Sequence, residues 1–125
     1  MDKLSASLED YLEIIWKYID AKRNIRAIDI SKEFKISRAS VTEALKKLAS
    51  KDFINYERYE TISLTEKGKQ VAQLVASKHS ILQDFFEKTL GLSTEEASEN
   101  ACKIEHVISE NALIQISQLV KGIHK

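Results

Sequence analysis

The segment from residue 100 to residue 109, NACKIEHVIS, holds the one cysteine of this 125-residue chain beside an acid and a histidine. Cys102, Glu105 and His106 are spaced by three and four residues, so their side chains would share one face of an α-helix. A thiolate, a carboxylate and an imidazole suit a borderline first-row metal ion better than Mg²⁺ or Ca²⁺, which favour oxygen ligands. The alternative is a packed cysteine with two ordinary surface residues, and these three residues alone leave both interpretations open.

Two other segments supply ligand-type residues within apolar helical patterns. Asp10 and Glu13 lie one helical turn apart in SLEDYLEIIW, and His79 lies in VASKHSILQ. Each has an ordinary explanation, because acids in a first turn favour the helix dipole and a lone histidine is usually packed or at the surface. The three segments would form one metal centre if their helices met, which the sequence by itself does not establish.

The composition is that of a globular protein made mostly of helices. Hydrophobic residues are 43% and charged residues 30% of the chain, proline is absent and glycine occurs three times. No apolar run approaches the roughly 20 residues of a membrane span, and the N-terminus lacks the apolar region of a secretory signal. One cysteine cannot form an internal disulfide, which fits a reducing compartment. We therefore expect a cytoplasmic protein.

The formal net charge is zero, but the charges are unevenly distributed. Residues 22–58 contain ten Lys and Arg against five Asp and Glu, which leaves this region a surplus of five positive charges. Such an asymmetry can mark a surface that faces phosphates, although charge alone fits a plain solvated surface better.

The first half of the chain has the outline of a winged helix-turn-helix. We predict a first helix from a cap at Ser5 or Ser7 to about Arg23, and a short second helix over Ala27–Phe34. A third helix follows the N-cap Ser37, and the β-branched and aromatic segment FINYERYETISLT predicts a two-stranded hairpin, or wing. Three-helix packing explains the apolar positions but not the added hairpin, so the outline favours DNA binding. The residues predicted to face inward are Ile28, Ile30 and Phe34 in the second helix and Val41, Leu45 and Leu48 in the third.

Three further helices are predicted after the wing. The fourth begins after the cap Thr65 and ends near Leu90, where Gly91 is a natural C-cap. The fifth begins at Thr94 and continues through NACKIEHVIS, and the sixth begins at Ser109.

The predicted fold class is therefore mainly α, with an N-terminal winged helix-turn-helix followed by a helical domain. We expect residues 1–64 to form the DNA-binding domain and residues 65–125 to form the second domain. Sixty residues of helix cannot easily bury every apolar face, so the second domain is expected to pair with another copy.

Five segments of the chain together resemble one known family. SLEDYLEIIW, SRASVTEALKKL, LTEKGK, ASKHSILQDFF and ACKIEHVIS occur in the order and spacing of the diphtheria toxin repressor and manganese transport regulator family. The resemblance implies a homodimeric winged-helix repressor of metal-uptake genes that binds palindromic operators when loaded with Fe²⁺ or Mn²⁺. The chain ends at Lys125, so it resembles the short form of the family without the SH3-like domain.

The resemblance also implies a set of metal ligands and one or two ions per subunit. Asp10 matches a ligand that is aspartate in the manganese branch, and Cys102 matches one that is cysteine in the iron branch. Because a thiolate is softer than a carboxylate, we favour Fe²⁺ over Mn²⁺. An ancillary site of the iron branch would combine His79 with Gln83 and Ser98, whose amide and hydroxyl are poor ligands. The full set implied is Asp10, Glu13, His79, Cys102, Glu105 and His106.

The hypothesis for the mechanism is a metal switch between the two domains. Metal would join the first helix to the helical domain and fix the spacing of the two recognition helices in the dimer, so that both enter successive major grooves. The candidates for groove contacts are Arg38, Ser40, Thr42, Glu43 and Lys47, and the candidates for phosphate contacts are Lys46, Arg58 and Tyr59.

Three alternatives stand beside this hypothesis. The chain could be a winged-helix regulator that has lost metal sensing, although its set of ligand-type residues is intact. It could be a metalloenzyme, since Glu and His beside a metal can activate water, or a metal buffer. Against both, no Gly-rich loop or substrate-pocket sequence is evident, and a buffer would leave the winged helix without a purpose. We expect no enzymatic activity, no membrane partner and no small-molecule substrate.

Overall fold

The computed structural model describes residues 4–57 and 61–123, and the side chains of those residues up to Gly122. Within these ranges the chain is mainly helical with one two-stranded antiparallel sheet, which confirms the predicted fold class. It divides into two compact units, Met1–Gln73 and Leu74–Lys125. No helix in the described part of the chain is both long and apolar enough to cross a membrane. The elements are α1 (Ala6–Asp20), α2 (Ala27–Phe34), α3 (Arg38–Ser50), β1 (Ile54–Asn55), β2 (Ser63–Leu64), α4 (Glu66–Lys88), α5 (Thr94–Ile104) and α6 (Glu110–Ile123).

The first unit is built around an apolar core to which α1, α2 and α3 all contribute. Val41, Leu45 and Leu48 are fully buried, as their spacing on α3 predicted. Ile30 is also buried, but the prediction for Ile28 is wrong because that residue is 39% exposed. Residues two positions apart in an α-helix are separated by about 200° around its axis, so α2 can turn only one of these two isoleucines inward.

The first helix is three residues shorter than predicted. Ser5 caps it by accepting a hydrogen bond from a backbone N–H at 3.2 Å, but the helix ends at Asp20 and does not reach Arg23. Lys22 adopts a left-handed φ of 59°, which an α-helix cannot continue. Arg23 then donates its N–H to the carbonyl oxygen of Tyr18 at 2.8 Å and lays its guanidinium over the Tyr18 ring. The helix is thus closed by local contacts and without a glycine, the usual stop signal.

An aromatic contact joins α1 to the short helix α2. The rings of Tyr11 and Phe34 meet edge to face, with their centroids 5.2 Å apart and their planes at 87°. Burial raises the pKa of the Tyr11 phenol above its usual value of 10.0, because the charged form would be poorly solvated there. Phe34 is partly buried and packs against the core of the first unit, as predicted.

The wing is an antiparallel pair of two-residue strands, as the sequence predicted. Ile54 pairs with Leu64 and Asn55 with Ser63, and the Asn55 amide donates to the Ser63 hydroxyl at 3.0 Å. Beyond the strands, Thr65 caps α4 as predicted, since its Oγ1 accepts a hydrogen bond from a backbone N–H at 3.0 Å. The wing is thereby anchored where α4 begins.

The second unit has a smaller core. Leu82, Ala101 and Leu113 are its buried centre, with partly buried isoleucines and a phenylalanine packed around them. Helix α4 ends at Lys88, two residues before the predicted end, and Gly91 then adopts a φ of +72° that favours glycine. Several large apolar residues of this unit stay exposed, namely Leu74, Leu90, Val107, Ile114 and Leu119.

Candidate metal centre

The segment NACKIEHVIS, residues 100–109, is divided between the end of α5 and the connection that follows it. Ser93 caps α5 by accepting the N–H of Glu96 at 3.1 Å, but the helix ends at Ile104 and does not extend through residue 109 as predicted. The reason is that Ser109 caps α6, so the residues before it must form the link. Glu105 keeps right-handed helical angles, φ −58° and ψ −28°, so the chain continues to turn in the helical sense at the C-cap.

Glu105 is the buried charge of the second unit. It is 1% exposed, and neither carboxylate oxygen accepts a hydrogen bond from the described residues. The Nδ1 of His79 lies 3.2 Å from one oxygen, and the Nε2 of His106 lies 3.5 Å from the other. A buried carboxylate is costly unless a positive charge compensates it, so these surroundings suit either a protonated imidazole or a metal ion.

His79 brings the thiol into the same cluster. Its side chain is 12% exposed, and its Nδ1 lies 3.7 Å from the Sγ of Cys102. One ligand atom from each of His79, Cys102 and Glu105 falls within 4.8 Å of the others. Cys102 is exposed while Glu105 is buried, so the cluster lies at the surface with its carboxylate inward. Sulfur, nitrogen and oxygen in this combination match a borderline first-row ion.

The other side of the His79 ring carries hydrogen bonds. Its Nε2 lies 3.1 Å from the Oε1 of Gln83 and 3.3 Å from the Oγ of Ser98. The resemblance assigned these two residues to an ancillary metal site. The structure places both beside His79, as an amide and a hydroxyl that are within hydrogen-bonding distance of the ring.

The two candidate ligands of the first unit lie on α1. Asp10 and Glu13 are three residues apart, and Glu13 is only 6% exposed among the buried residues of that helix. The Nζ of Lys17, itself largely exposed, lies 3.8 Å from a Glu13 oxygen. A buried acid on an otherwise apolar face is unusual in a structural helix, and it keeps Glu13 a candidate ligand.

Helix α3 presents the polar surface expected of a recognition helix. Ser37 caps it by accepting the N–H of Ser40 at 3.1 Å, as predicted. The candidates on this helix are exposed except for Thr42, which is half-buried, and they are Arg38, Ser40, Thr42, Glu43, Lys46 and Lys47. The two wing candidates, Arg58 and Tyr59, lie outside the described residues.

Two domain models of one family match the two halves of the chain. Residues 3–62 match the model described as the N-terminal DNA-binding domain of an iron-dependent repressor. Residues 65–125 match the model described as the metal-binding and dimerisation domain of an iron-dependent repressor. The chain belongs to the iron-dependent repressor family. These domains and the relatives below are those of transcription regulators and not of enzymes, which removes the metalloenzyme alternative.

Relatives within and beyond the bacteria resemble the chain over most of its length. An HTH-type transcriptional regulator of Methanocaldococcus jannaschii is 40% identical over 111 residues, 88% of this chain and 89% of that protein. The HTH-type transcriptional regulator MntR of Shouchella clausii is 36% identical over 115 residues, 92% of this chain and 80% of that protein. The structure of the manganese regulator SloR has a TM-score of 0.81 at 26% identity and covers 91% of this chain. The chain spans 53% of the length of that structure.

Sequence reasoning missed two residues that this repressor adds to the surroundings of His79. Glu87 accepts a hydrogen bond from the Gln83 amide at 2.9 Å, and the hydroxyl of Thr94 lies 3.4 Å from its other oxygen. A signal for them was available, because Glu87 follows Gln83 by four residues and Thr94 precedes Ser98 by four. It was overlooked because neither residue belongs to the ligand set that the resemblance implies.

Proposed function

We propose that this chain is a metal-activated transcriptional repressor that binds operator DNA when Fe²⁺ or Mn²⁺ is bound, and that it controls metal-uptake genes from the cytoplasm. The observation that carries the proposal is the Glu105 carboxylate, buried beside two imidazoles and close to the Cys102 thiol. A buried carboxylate without a compensating positive charge destabilises the fold, so the burial of Glu105 beside these ligand atoms supports a cation that the site binds.

The ligand set is proposed from both geometry and resemblance. His79, Cys102 and Glu105 supply nitrogen, sulfur and oxygen atoms that already converge, and His106 contacts the same carboxylate. Asp10 and Glu13 are the sequence-based candidates for further ligands. Together these side chains would hold the ion, and its positive charge beside Glu105 would stabilise the arrangement in which they converge.

The identity of the metal is proposed from the ligand chemistry. The Cys102 thiolate favours Fe²⁺ over Mn²⁺, because affinity for softer ligands rises from Mn²⁺ to Fe²⁺. Asp10 and the relatives named as manganese regulators support Mn²⁺. We propose that the site accepts both ions and prefers Fe²⁺, with one or two ions per subunit.

The first domain, which we place at residues 1–64, is proposed to bind DNA through α3 and the wing. Arg38, Ser40, Thr42, Glu43 and Lys47 would reach base edges in the major groove, while Lys46, Arg58 and Tyr59 would contact phosphates. The exposure of the α3 residues supports this assignment.

The second domain, which we place at residues 65–125, is proposed to form a homodimer. Leu74, Ile114 and Leu119 are each about half exposed, and an apolar surface of this kind is covered in a stable protein by a partner. A two-fold dimer would present two recognition helices to a palindromic operator, with half-sites one helical turn or a multiple of it apart.

The proposal is tested by measuring DNA binding against metal. DNA selected from random sequence with the Mn²⁺-loaded protein serves as the operator, and its binding is followed by fluorescence anisotropy with Mn²⁺, with Fe²⁺ under anaerobic conditions, and with chelator. We expect tight binding with either metal and a loss of at least about 10-fold with chelator, since allosteric couplings are typically 5–150-fold. A Glu105→Ala/His106→Ala variant is expected to bind weakly under all three conditions.

The matched control is Glu110→Ala, which removes an exposed carboxylate from the first turn of α6 and leaves the cluster intact. It should keep the metal dependence of the unmodified protein. If the Glu105→Ala/His106→Ala variant instead bound the selected DNA as tightly as the control, with or without metal, the switch would be refuted and a regulator without metal sensing would remain.

A further inference from the structure

Two rows of polar residues, one on α4 and one on α5, meet beside the candidate metal centre. In each row the residues are four apart, so they lie along one face of their helix. The two rows run in opposite chain directions, because the last residue of one contacts the first of the other. The rows are His79, Gln83 and Glu87 on α4, and Thr94, Ser98 and Cys102 on α5.

Glu87 fixes the orientation of the Gln83 amide. A glutamate carboxylate at neutral pH can only accept hydrogen bonds. One Glu87 oxygen lies 2.9 Å from the Gln83 amide nitrogen, and the other lies 3.4 Å from the Thr94 hydroxyl, so donors approach both oxygens. If the Gln83 amide were turned over, its oxygen would face the carboxylate and the hydrogen bond would become a repulsion. Gln83 must therefore point its nitrogen at Glu87 and its oxygen at His79.

The Gln83 oxygen in turn fixes the proton of His79. It lies 3.1 Å from Nε2 of the imidazole, and since it only accepts, Nε2 must carry the hydrogen. On the other side of the ring the Glu105 carboxylate also only accepts, so in the metal-free protein a protonated imidazole can carry a second hydrogen on Nδ1, which a bound metal ion would replace. Nδ1 is the nitrogen that lies 3.2 Å from the Glu105 carboxylate and 3.7 Å from the Cys102 sulfur. The Ser98 hydroxyl, 3.3 Å from Nε2, can accept a share of the same hydrogen.

We infer that Gln83 and Glu87 are positioning residues that keep a hydrogen on Nε2 of His79, so that Nδ1 is the ring nitrogen that binds a metal ion. The inference rests on the proposed function in taking Nδ1 as the ligand atom. Residues 83 and 98, which the resemblance assigned to an ancillary ion, here form hydrogen bonds that act on the centre through His79. Partners of this kind fix the tautomer and the ring orientation of a ligating histidine, and their loss typically weakens metal binding about 10–100-fold.

The experiment uses the full chain and Zn²⁺, a diamagnetic probe that suits nitrogen NMR. In the unmodified protein, metal-free and Zn²⁺-loaded, we expect the nitrogen spectrum of His79 to show a hydrogen on Nε2. Gln83→Leu removes the acceptor, and Glu87→Gln lets the amide of residue 83 turn either way. In the metal-free state both variants should show a population without a hydrogen on Nε2, and both should bind Zn²⁺ about 10–100-fold more weakly.

Two further variants separate this role from charge and from folding. Asp84→Asn removes a carboxylate from the same helix, where it lies 3.7 Å from the exposed Lys88, and should leave both the spectrum and the affinity unchanged. The exchanged pair Gln83→Glu/Glu87→Gln has the original net charge and again places an acceptor-only group beside Nε2. It should restore the hydrogen on Nε2 and most of the Zn²⁺ affinity that Glu87→Gln loses.

Absence of a hydrogen on Nε2 in the unmodified protein would overturn the inference, as would an Asp84→Asn variant that weakens Zn²⁺ binding as much as Glu87→Gln. Failure of the exchanged pair to recover the hydrogen on Nε2 would also overturn it. Absence of Zn²⁺, Mn²⁺ and Fe²⁺ binding by the unmodified protein would instead refute the proposed function, while the metal-free spectrum would still decide whether Nε2 carries a hydrogen.

Discussion

The two compact units of the chain are stabilised in different ways. In the described part of the first unit, fourteen buried residues form one apolar cluster, whereas the corresponding cluster of the second unit has three. Each unit buries one acid, Glu13 in the first and Glu105 in the second, and the second unit also exposes large apolar side chains on α4 and α6. The first unit therefore has the larger apolar core, which holds α3 in place.

The difference assigns separate tasks to the two units. A bound metal ion would compensate the buried charge of Glu105 in the second unit, and a second copy of the chain would cover the apolar surface of that unit. The folding free energy of the second unit should therefore depend on metal and on protein concentration. A repressor that responds to metal needs such an element, whose arrangement is biased by a ligand.

The largest expected effect is a test of the packing contrast itself. Leu45 on α3 is fully buried and Leu119 on α6 is 52% exposed. Leu45→Ala should lower the free energy of unfolding by about 2–5 kcal/mol through lost burial and a new cavity. Leu119→Ala should change it by less than about 0.5 kcal/mol in dilute, monomeric protein. Urea denaturation followed by circular dichroism measures both.

The same pair of leucines also tests the dimer. In analytical ultracentrifugation Leu119→Ala should raise the dissociation constant of the dimer, while a folded Leu45 variant such as Leu45→Val should not. If Leu119→Ala destabilised the dilute protein as much as Leu45→Ala does, the second unit would have a closed core of its own and the comparison would fail.

A second test of the contrast uses one glycine from each unit. A Cβ built on Gly68, at the start of α4, would overlap the carbonyl oxygen of Phe53, whereas a Cβ on Gly122 in α6 would meet no atom within 4 Å among the described residues. Gly68→Ala should therefore lower the free energy of unfolding by about 1–3 kcal/mol, because the backbone must move to make room for the methyl group. Gly122→Ala should raise the free energy of unfolding by about 0.5–1 kcal/mol, because alanine favours a helix more than glycine does. Thermal unfolding of both variants measures whether each change lowers or raises stability. A Gly68→Ala variant as stable as the unmodified protein would contradict the tight packing of the first unit.

Much of the fold could be predicted from the sequence because its signals are local. Ser37 and Thr65 cap the helices that follow them, and the spacing of Val41, Leu45 and Leu48 identified the inner face of α3. The early end of α1 was missed because Lys22 adopts a left-handed conformation without being glycine or asparagine. The end of α1 is accompanied by contacts of Arg23 with Tyr18, which no local sequence pattern predicts.

The candidate site was predictable in its residue types but not in its arrangement. Cys102 and Glu105 were found from their spacing, and the structure adds that His79 lies with them although it is 23 residues from Cys102. The burial of Glu105 depends on packing between helices, which periodicity does not determine. The role of Glu87 was hidden for the same reason, because it acts through Gln83 and not on the cluster directly.

Replacement of Glu105 by glutamine tests whether the buried charge of the second unit destabilises the metal-free protein. Glu105→Gln keeps the size of the buried side chain but removes its charge, so in metal-free protein it should raise the free energy of unfolding by about 1 kcal/mol. The unmodified protein should gain about 2.7 kcal/mol when Mn²⁺ is present at 100 times its dissociation constant, whereas the variant should gain little. Glu110→Gln, at an exposed acid of α6, should change neither value. Urea titrations with chelator and with Mn²⁺ measure all three proteins. A metal-free Glu105→Gln protein that is less stable than the original would mean that His79 and His106 already compensate the carboxylate, and the second unit would then be stable without metal.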